Sequence, residues 1–310
     1  MGSFEMTVPR TIWAGFLMLI ALGTALLWLP LATANGQWNE PIVAFFTATS
    51  AVCVTGLIVV DTGSYYSPLG QFIILLLIQV GGLGYMTATT LLLLVLKRRL
   101  RLKERLAVQQ SMDIQELSGG RSLIISIIGM TLIIELTGAF CLMPTMMREQ
   151  GPAQGLWSAL FHSISAFNNA GFSLFEDSLV RYVHSGWVTG VITLLVIFGG
   201  IGYQVIMEAF LWGRDRLLRR SQRSEFSLNF KVVVVTTLVL LLLGTFSFLV
   251  VEYTNPATLG YFPFQTKLSA AWFQSVIART AGFNSVDINA MHDAALFLMI
   301  ALMFIGASPG

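Results

Sequence analysis

Six apolar runs are each long enough to cross a bilayer as a helix: Thr11–Leu31, Leu69–Leu96, Ser122–Met143, Gly186–Trp212, Val232–Val251 and Ala294 to the C-terminus. A hydrocarbon core of roughly 30 Å takes about 20 helical residues. Between the runs lie three shorter apolar pieces, Pro41–Val52, Gly155–Phe167 and Thr266–Ala278, and a glycine follows each. They are too short to span. In hydrocarbon every backbone polar group must be satisfied internally, so such pieces fit only as re-entrant half-helices whose irregular ends are sheltered by protein or a water-filled cavity. The fold class expected is an all-α membrane protein.

Composition agrees with this. Of 310 residues, 55% are hydrophobic and 11% charged, against about 25% charged in a soluble domain. A formal net charge of +2 is too small for a nucleic-acid surface, and the apolar excess excludes disorder. The two cysteines, Cys53 and Cys141, both fall in apolar segments and form neither a disulfide framework nor a metal motif. Fourteen of the 18 Lys and Arg residues lie at Arg10, in Lys97–Arg121 or in Arg214–Lys231. The bias of basic residues toward the cytoplasm then puts the N-terminus inside and brings the half-helices in from outside. The rival reading of the first run is a cleaved signal peptide ending near Ala32-Thr33-Ala34, but the run exceeds the usual apolar length of about 7 to 15 residues.

The chain repeats itself. Ala44, Phe46, Ser50, Ala51 and Gly56 recur at an offset of 115 as Ala159, Phe161, Ser165, Ala166 and Gly171. Ala159, Phe161 and Ser163 recur 112 residues on as Ala271, Phe273 and Ser275, while Ala170-Gly171-Phe172 recurs 111 residues on as Ala281-Gly282-Phe283. Gly81-Gly82-Leu83-Gly84-Tyr85 matches Gly199-Gly200-Ile201-Gly202-Tyr203. The organisation expected is a first pore unit over 1–96, a cytoplasmic linker 97–120, a second unit 121–213, a linker 214–230 and a third, incomplete unit 231–310. Each unit reads span, half-helix, glycine loop, span.

The physics of such a unit suits cation conduction. A half-helix ending at mid-depth presents its negative dipole end to the cavity. The loop after it can turn backbone carbonyls inward to replace a hydration shell. The candidate filter residues are Val54, Thr55 and Gly56, then Asn169, Ala170 and Gly171, then Thr280, Ala281 and Gly282. None of the nine is charged, so coordination would come from neutral dipoles, as a large monovalent cation prefers. Two rivals remain open, a secondary transporter with broken helices and a non-conducting scaffold. No motif of a membrane enzyme is present in the sequence.

Four stretches carry a resemblance: Ser50–Leu57, Phe167–Phe172, Ala278–Ser285 and Phe304–Gly310. Together they resemble the Trk/Ktr/HKT superfamily of potassium uptake proteins, most closely the Ktr-type membrane subunit. The resemblance implies four such units around a pseudo-fourfold pore in the cell membrane, with K+ as the transported ion. It implies a homodimer, a cytoplasmic regulatory ring of RCK/KTN type carrying the nucleotide, and uptake stimulated by Na+. It also implies potassium selectivity from a glycine at the Gly56 position, and a gate in the third unit's second span, where Gly306, Ser308 and Gly310 stand. Three units are present of the four that the resemblance implies, so this polypeptide by itself is expected not to close a selective filter.

Other residues have plainer expectations. Arg279 is expected to point away from the pore and pair with a carboxylate such as Glu252 or Asp287. Glu135, in mid-span, is expected to make helix-packing hydrogen bonds, Asn168 to brace the loop, and His162 to be structural. Lys97–Leu117 reads as an amphipathic cytoplasmic helix that meets lipid or a partner.

Overall fold

The computed structural model describes residues 8–84, 120–218 and 226–307. Regular structure there is helical; the extended pairing found among the described residues is one isolated antiparallel bridge, Thr33 to Tyr66. The helices are α1 (Val8–Trp28), α2 (Pro41–Val52), α3 (Thr62–Tyr65), α4 (Pro68–Gly82), α5 (Gly120–Gln150), α6 (Pro152–Phe167), α7 (Gly186–Ile201), α8 (Tyr203–Leu217), α9 (Leu228–Glu252), α10 (Phe264–Ile277) and α11 (Asp293–Ile305).

Local chemistry sets many of the ends. Proline opens α2, α4 and α6, where its missing N–H costs nothing and its fixed φ is already helical. Ser67, Ser185 and Ser227 cap α4, α7 and α9 by accepting a hydrogen bond from a first-turn N–H. Helices α5 and α9 are long and apolar enough to cross a membrane, and α7 with α8 would make a third crossing if the bent pair counts as one. The outward face of α9 carries Val232, Val235, Leu238, Leu242 and Phe246, all more than half exposed, which suits lipid rather than water.

The short helices fall where the short apolar runs stand: α2 keeps the bounds Pro41–Val52, α6 starts earlier, at Pro152, and α10 runs Phe264–Ile277. The long runs fare less evenly. Helix α5 passes through Pro144 and on to Gln150, beyond the expected end at Met143. The run Gly186–Trp212 is not one straight span: it breaks at Gly202, where φ is +89°, and its two pieces are bent by 103°. Glycine alone takes that backbone readily. Of the run Leu69–Leu96, residues from 85 onward lie outside the described residues, as do Lys97–Leu117 and most of the linker to Arg121.

The chain divides into two compact units, Met1–Ile134 and Glu135–Gly310, with the boundary inside α5. In the first, α2 lies between α1 and α4 and packs on both. In the second, α6 packs on α7, and α10 on both α9 and α7, with α11 against α9. Phe248, Ala270, Ala271, Ala278, Ala295 and Leu302 form the core beneath α10.

Candidate functional site

The three glycine loops share one backbone. Val54, Asn169 and Thr280 have φ of 56°, 55° and 78°, and two residues later Gly56, Gly171 and Gly282 have φ of 73°, 71° and 77°. Left-handed conformation is easy for glycine and tolerated by asparagine, but Val54 and Thr280 are β-branched and strained there, by about 1–3 kcal/mol each. The first two loops also leave their helices the same way. Thr55 N–H donates to Ser50 O at 2.9 Å and Val54 N–H to Ala51 O at 3.2 Å; Ala170 N–H donates to Ser165 O at 2.8 Å and Asn169 N–H to Ala166 O at 3.1 Å. This is the Schellman closure, with a left-handed residue directly after the cap. The third loop differs: α10 ends at Ile277 with Ala278 as its C-cap, Ala281 N–H reaches Ile277 O at 3.0 Å, and one further residue, Arg279, stands before the left-handed Thr280.

Among the described residues, no hydrogen bond is accepted by the main-chain carbonyls of Val54, Thr55, Gly56, Asn169, Ala170, Gly171, Thr280, Ala281 or Gly282. Of these nine residues only Ala170 and Ala281 are buried, and a buried carbonyl ordinarily finds a partner. The first two loops follow directly on the C-caps of α2 and α6, at Cys53 and Asn168, and the third follows the C-cap of α10 at Ala278 after one intervening residue, where the helix dipole is negative. The second and third loops abut, and a Cβ on Gly171 would stand 2.8 Å from Ala281 O and from Gly282 Cα.

Close approach by glycine also seats each half-helix on its neighbours. On α1, α5 and α9, Gly23, Gly138 and Gly244 face Ala48, Ser163 and Ser275 of α2, α6 and α10, and a Cβ on any of them would be crowded by that residue. Ser163 Oγ donates to Glu135 O at 2.6 Å and Ser275 Oγ to Leu241 O at 2.9 Å, the carbonyls three residues before Gly138 and Gly244. On α4 and α7, Gly81 and Gly199 lie against the carbonyl oxygens of Val52 and Phe167, the last residues of α2 and α6, and a Cβ there would collide with those oxygens. None of the glycines on α1, α5 and α9 was singled out from sequence, although Gly23 and Gly138 are themselves separated by 115 residues, the offset of the repeat.

The side chains behind the loops sort as follows. Asn168 Nδ2 donates to Glu135 Oε1 at 2.9 Å and to Ile164 O at 2.9 Å, so Glu135, 1% exposed, is a brace of the second loop. His162 is fully buried: Nδ1 faces Ser158 O at 2.7 Å, which makes it the protonated nitrogen, and Nε2 faces Ser173 Oγ at 3.0 Å. Its ring stacks on Phe175, with centroids 4.6 Å apart. The corresponding residue of α10 is Gln274, buried with both amide atoms unpartnered among the described residues.

Among the described residues Arg279 pairs with no carboxylate. Its Nε donates to Gly306 O at 3.0 Å, at the C-terminal end of α11, where free carbonyls supply the negative end that a cation seeks. Glu252 is occupied elsewhere, accepting from Asn255 Nδ2, Thr258 Oγ1 and His292 N–H. Gly306 has φ of 67° and ends α11, while Ser308 and Gly310 lie outside the described residues.

Apolar helices, short helices that stop inside the bundle, and glycine loops with free carbonyls define a membrane protein of the broken-helix kind. The model of the family described as "TrkH: Cation transport protein" matches residues 11–310. The chain belongs to that family, one of cation transporters rather than enzymes. It is 40% identical over 302 residues to the Ktr system potassium uptake protein B of Bacillus subtilis, covering 97% of this chain and 65% of that protein. It is 38% identical over 301 residues to the potassium/sodium uptake protein NtpJ of Enterococcus hirae, again covering 97% of this chain and 65% of the relative. The chain therefore spans just under two thirds of the length of these relatives. The crystal structure of the potassium transporter TrkH from Vibrio parahaemolyticus shares the fold, with a TM-score of 0.65 at 19% identity over 96% of this chain and 57% of that one.

Proposed function

We propose that the chain is the membrane-embedded, ion-conducting part of a potassium uptake system of Ktr type. The observation that carries this is the threefold recurrence of a left-handed residue, a spacer and a left-handed glycine within four residues of the C-cap of a short helix. A loop of that shape brings neutral carbonyl dipoles to the negative end of a helix, which favours a weakly hydrated monovalent cation. The carbonyls of Val54, Thr55, Gly56, Asn169, Ala170, Gly171, Thr280, Ala281 and Gly282 serve as ligands, with K+ as cargo. The relatives named for potassium uptake support this, and the one named for potassium/sodium uptake supports Na+ as a second ion.

In this reading residues 1–96, 121–213 and 231–310 are three pore units, and 97–120 and 214–230 are cytoplasmic linkers, with the N-terminus inside. Gly306, Ser308 and Gly310 belong to a gate region. The working assembly is a homodimer on a cytoplasmic ring of RCK/KTN type that binds the regulatory nucleotide. The test is rescue of an uptake-deficient bacterium by the complete gene product at low potassium, with Gly56→Ser beside it. Wild type should restore growth and prefer potassium to sodium, and Gly56→Ser should weaken that preference, because a side chain resists the φ of 73° found there. Unchanged selectivity in Gly56→Ser would remove Gly56 from the filter.

A further inference from the structure

Asn169 does more than lend a carbonyl. Its carboxamide, oriented by its neighbours, donates through Nδ2 to Ala166 O at 3.2 Å and Val196 O at 3.1 Å, and accepts through Oδ1 from Gly200 N–H at 3.2 Å. Val196 and Gly200 are four residues apart on α7, the pair that an ordinary helical hydrogen bond would join. The side chain therefore bridges the backbone ladder of the second span. Two residues further on, at Gly202, the span turns by 103°.

We propose that the Asn169 side chain is a positioning residue that ties the second filter loop to the break between α7 and α8, so that the loop geometry and the setting of that break change together. This rests on the reading of the loop as a filter. Three further observations point the same way. Gly199 packs without a side chain against Phe167 O, so the loop and the span are already in contact where the bridge forms. A small gap lined by Val196, Gly200, Thr237, Arg279 and Ala307 adjoins the bridge, so the contact between loop and span is not closed over on that side. The third unit has a comparable tie made by different chemistry, from Arg279 Nε to the carbonyl of Gly306, where α11 ends at a left-handed glycine. The first unit has no such tie through its side chain, because Val54 at the same place in the loop has no polar atom to offer.

The informative variant is Asn169→Gly. Glycine keeps the left-handed backbone of 55° without strain, so the loop conformation survives and the carboxamide alone is lost. Asn169→Asp, which keeps an acceptor for Gly200 N–H but cannot donate to Val196 O, serves as a second variant that also tolerates the backbone. The intact full-length transporter in nanodiscs is followed by amide hydrogen exchange over residues 196–202, and in parallel by rubidium and sodium uptake in proteoliposomes. In Asn169→Gly, exchange at Gly200 should quicken by about tenfold, the equivalent of one net hydrogen bond, and the preference for rubidium over sodium should fall by roughly fivefold or more. Asn169→Asp should keep most of the protection at Gly200. Unchanged exchange in Asn169→Gly would show that no tie exists, and faster exchange with unchanged selectivity would show that the tie does not position the filter; either overturns the proposal. A wild-type protein that carried neither ion would refute the transport reading instead, and the exchange result would still decide the tie.

Discussion

Gly138→Ala tests how the half-helices are seated. On α5 a new Cβ would stand 2.5 Å from Ser163 Oγ and 2.7 Å from both terminal carbons of Leu195. Leu195 can rotate away. Ser163 Oγ cannot without giving up its 2.6 Å bond to Glu135 O. Alanine in a helix interior is otherwise worth about 0.5–1 kcal/mol over glycine, whereas overpacking a tight contact costs about 1–3 kcal/mol. The variant should therefore lose about 1–2 kcal/mol. Gly190→Ala on α7, where a Cβ meets nothing within 4 Å, should lose nothing or gain slightly. Ser163→Ala removes the obstructing hydroxyl for the loss of one hydrogen bond, about 1 kcal/mol. It also recreates the arrangement of the first unit, where Gly23 faces Ala48. The double variant should accordingly be less destabilised than the sum of the single changes, by about 1 kcal/mol. Unfolding of the purified protein in detergent, measured for all four variants, decides the matter. Equal stability of Gly138→Ala and Gly190→Ala, or strict additivity of the pair with Ser163→Ala, would refute the seating argument.

Three other outcomes are expected. Glu135→Leu should destabilise by about 1–3 kcal/mol, because it strips Asn168 of a buried acceptor, while Glu135→Gln should cost under about 1 kcal/mol; equal losses in an unfolding assay would contradict the brace. Tyr182 Oη donates to Glu149 Oε2 at 2.6 Å, and burial, then that carboxylate, holds the phenol well above its usual range. Its contribution is therefore complete below the unfolded value of about 10 and is lost as pH rises beyond it. The stability gap between wild type and Tyr182→Phe should be flat from about pH 6 to 9 and narrow at more alkaline pH, and a gap that widened there would reverse the sign of the argument. Gln274→Leu should be neutral or stabilising, since it replaces a buried amide with no partner among the described residues; a loss above about 2 kcal/mol on unfolding would show that the amide is satisfied.

The short helices were legible because their ends are chemically marked. Pro41 opens α2 and Val54, Thr55 and Gly56 follow its cap, so hydropathy and punctuation agree. For α6 the apolar criterion missed the first turn, because Ala153 and Gln154 dilute it, although Pro152 after Gly151 marks the start. The break at Gly202 was hidden because hydropathy does not register backbone angles. Its signal was the repeated Gly-Gly-hydrophobe-Gly itself, seen as a match between units and not as an interruption. Arg279 was expected to meet a carboxylate because charges in a sequence are most simply matched with charges; the exposed carbonyl end of a helix is a negative partner that no sequence letter displays. The role of Asn169 lay beyond reach, since whether its amide points along the loop or into α7 depends on how closely Gly199 lets the two approach.

The turns ahead of the three short helices α2, α6 and α10 are fastened with different chemistry. In the first, Asn39 donates to Leu27 O and accepts from Tyr65 Oη. In the second, the phenol of Tyr182 meets Glu149, and in the third Glu252 gathers Asn255, Thr258 and the backbone N–H of His292. A protein made of one motif used repeatedly would normally answer any disturbance in every copy at once. Here alkali can loosen the second copy through its phenol while leaving the carboxylate cluster of the third intact, so these two copies are separately addressable, and the part each plays can be isolated in the assembled protein.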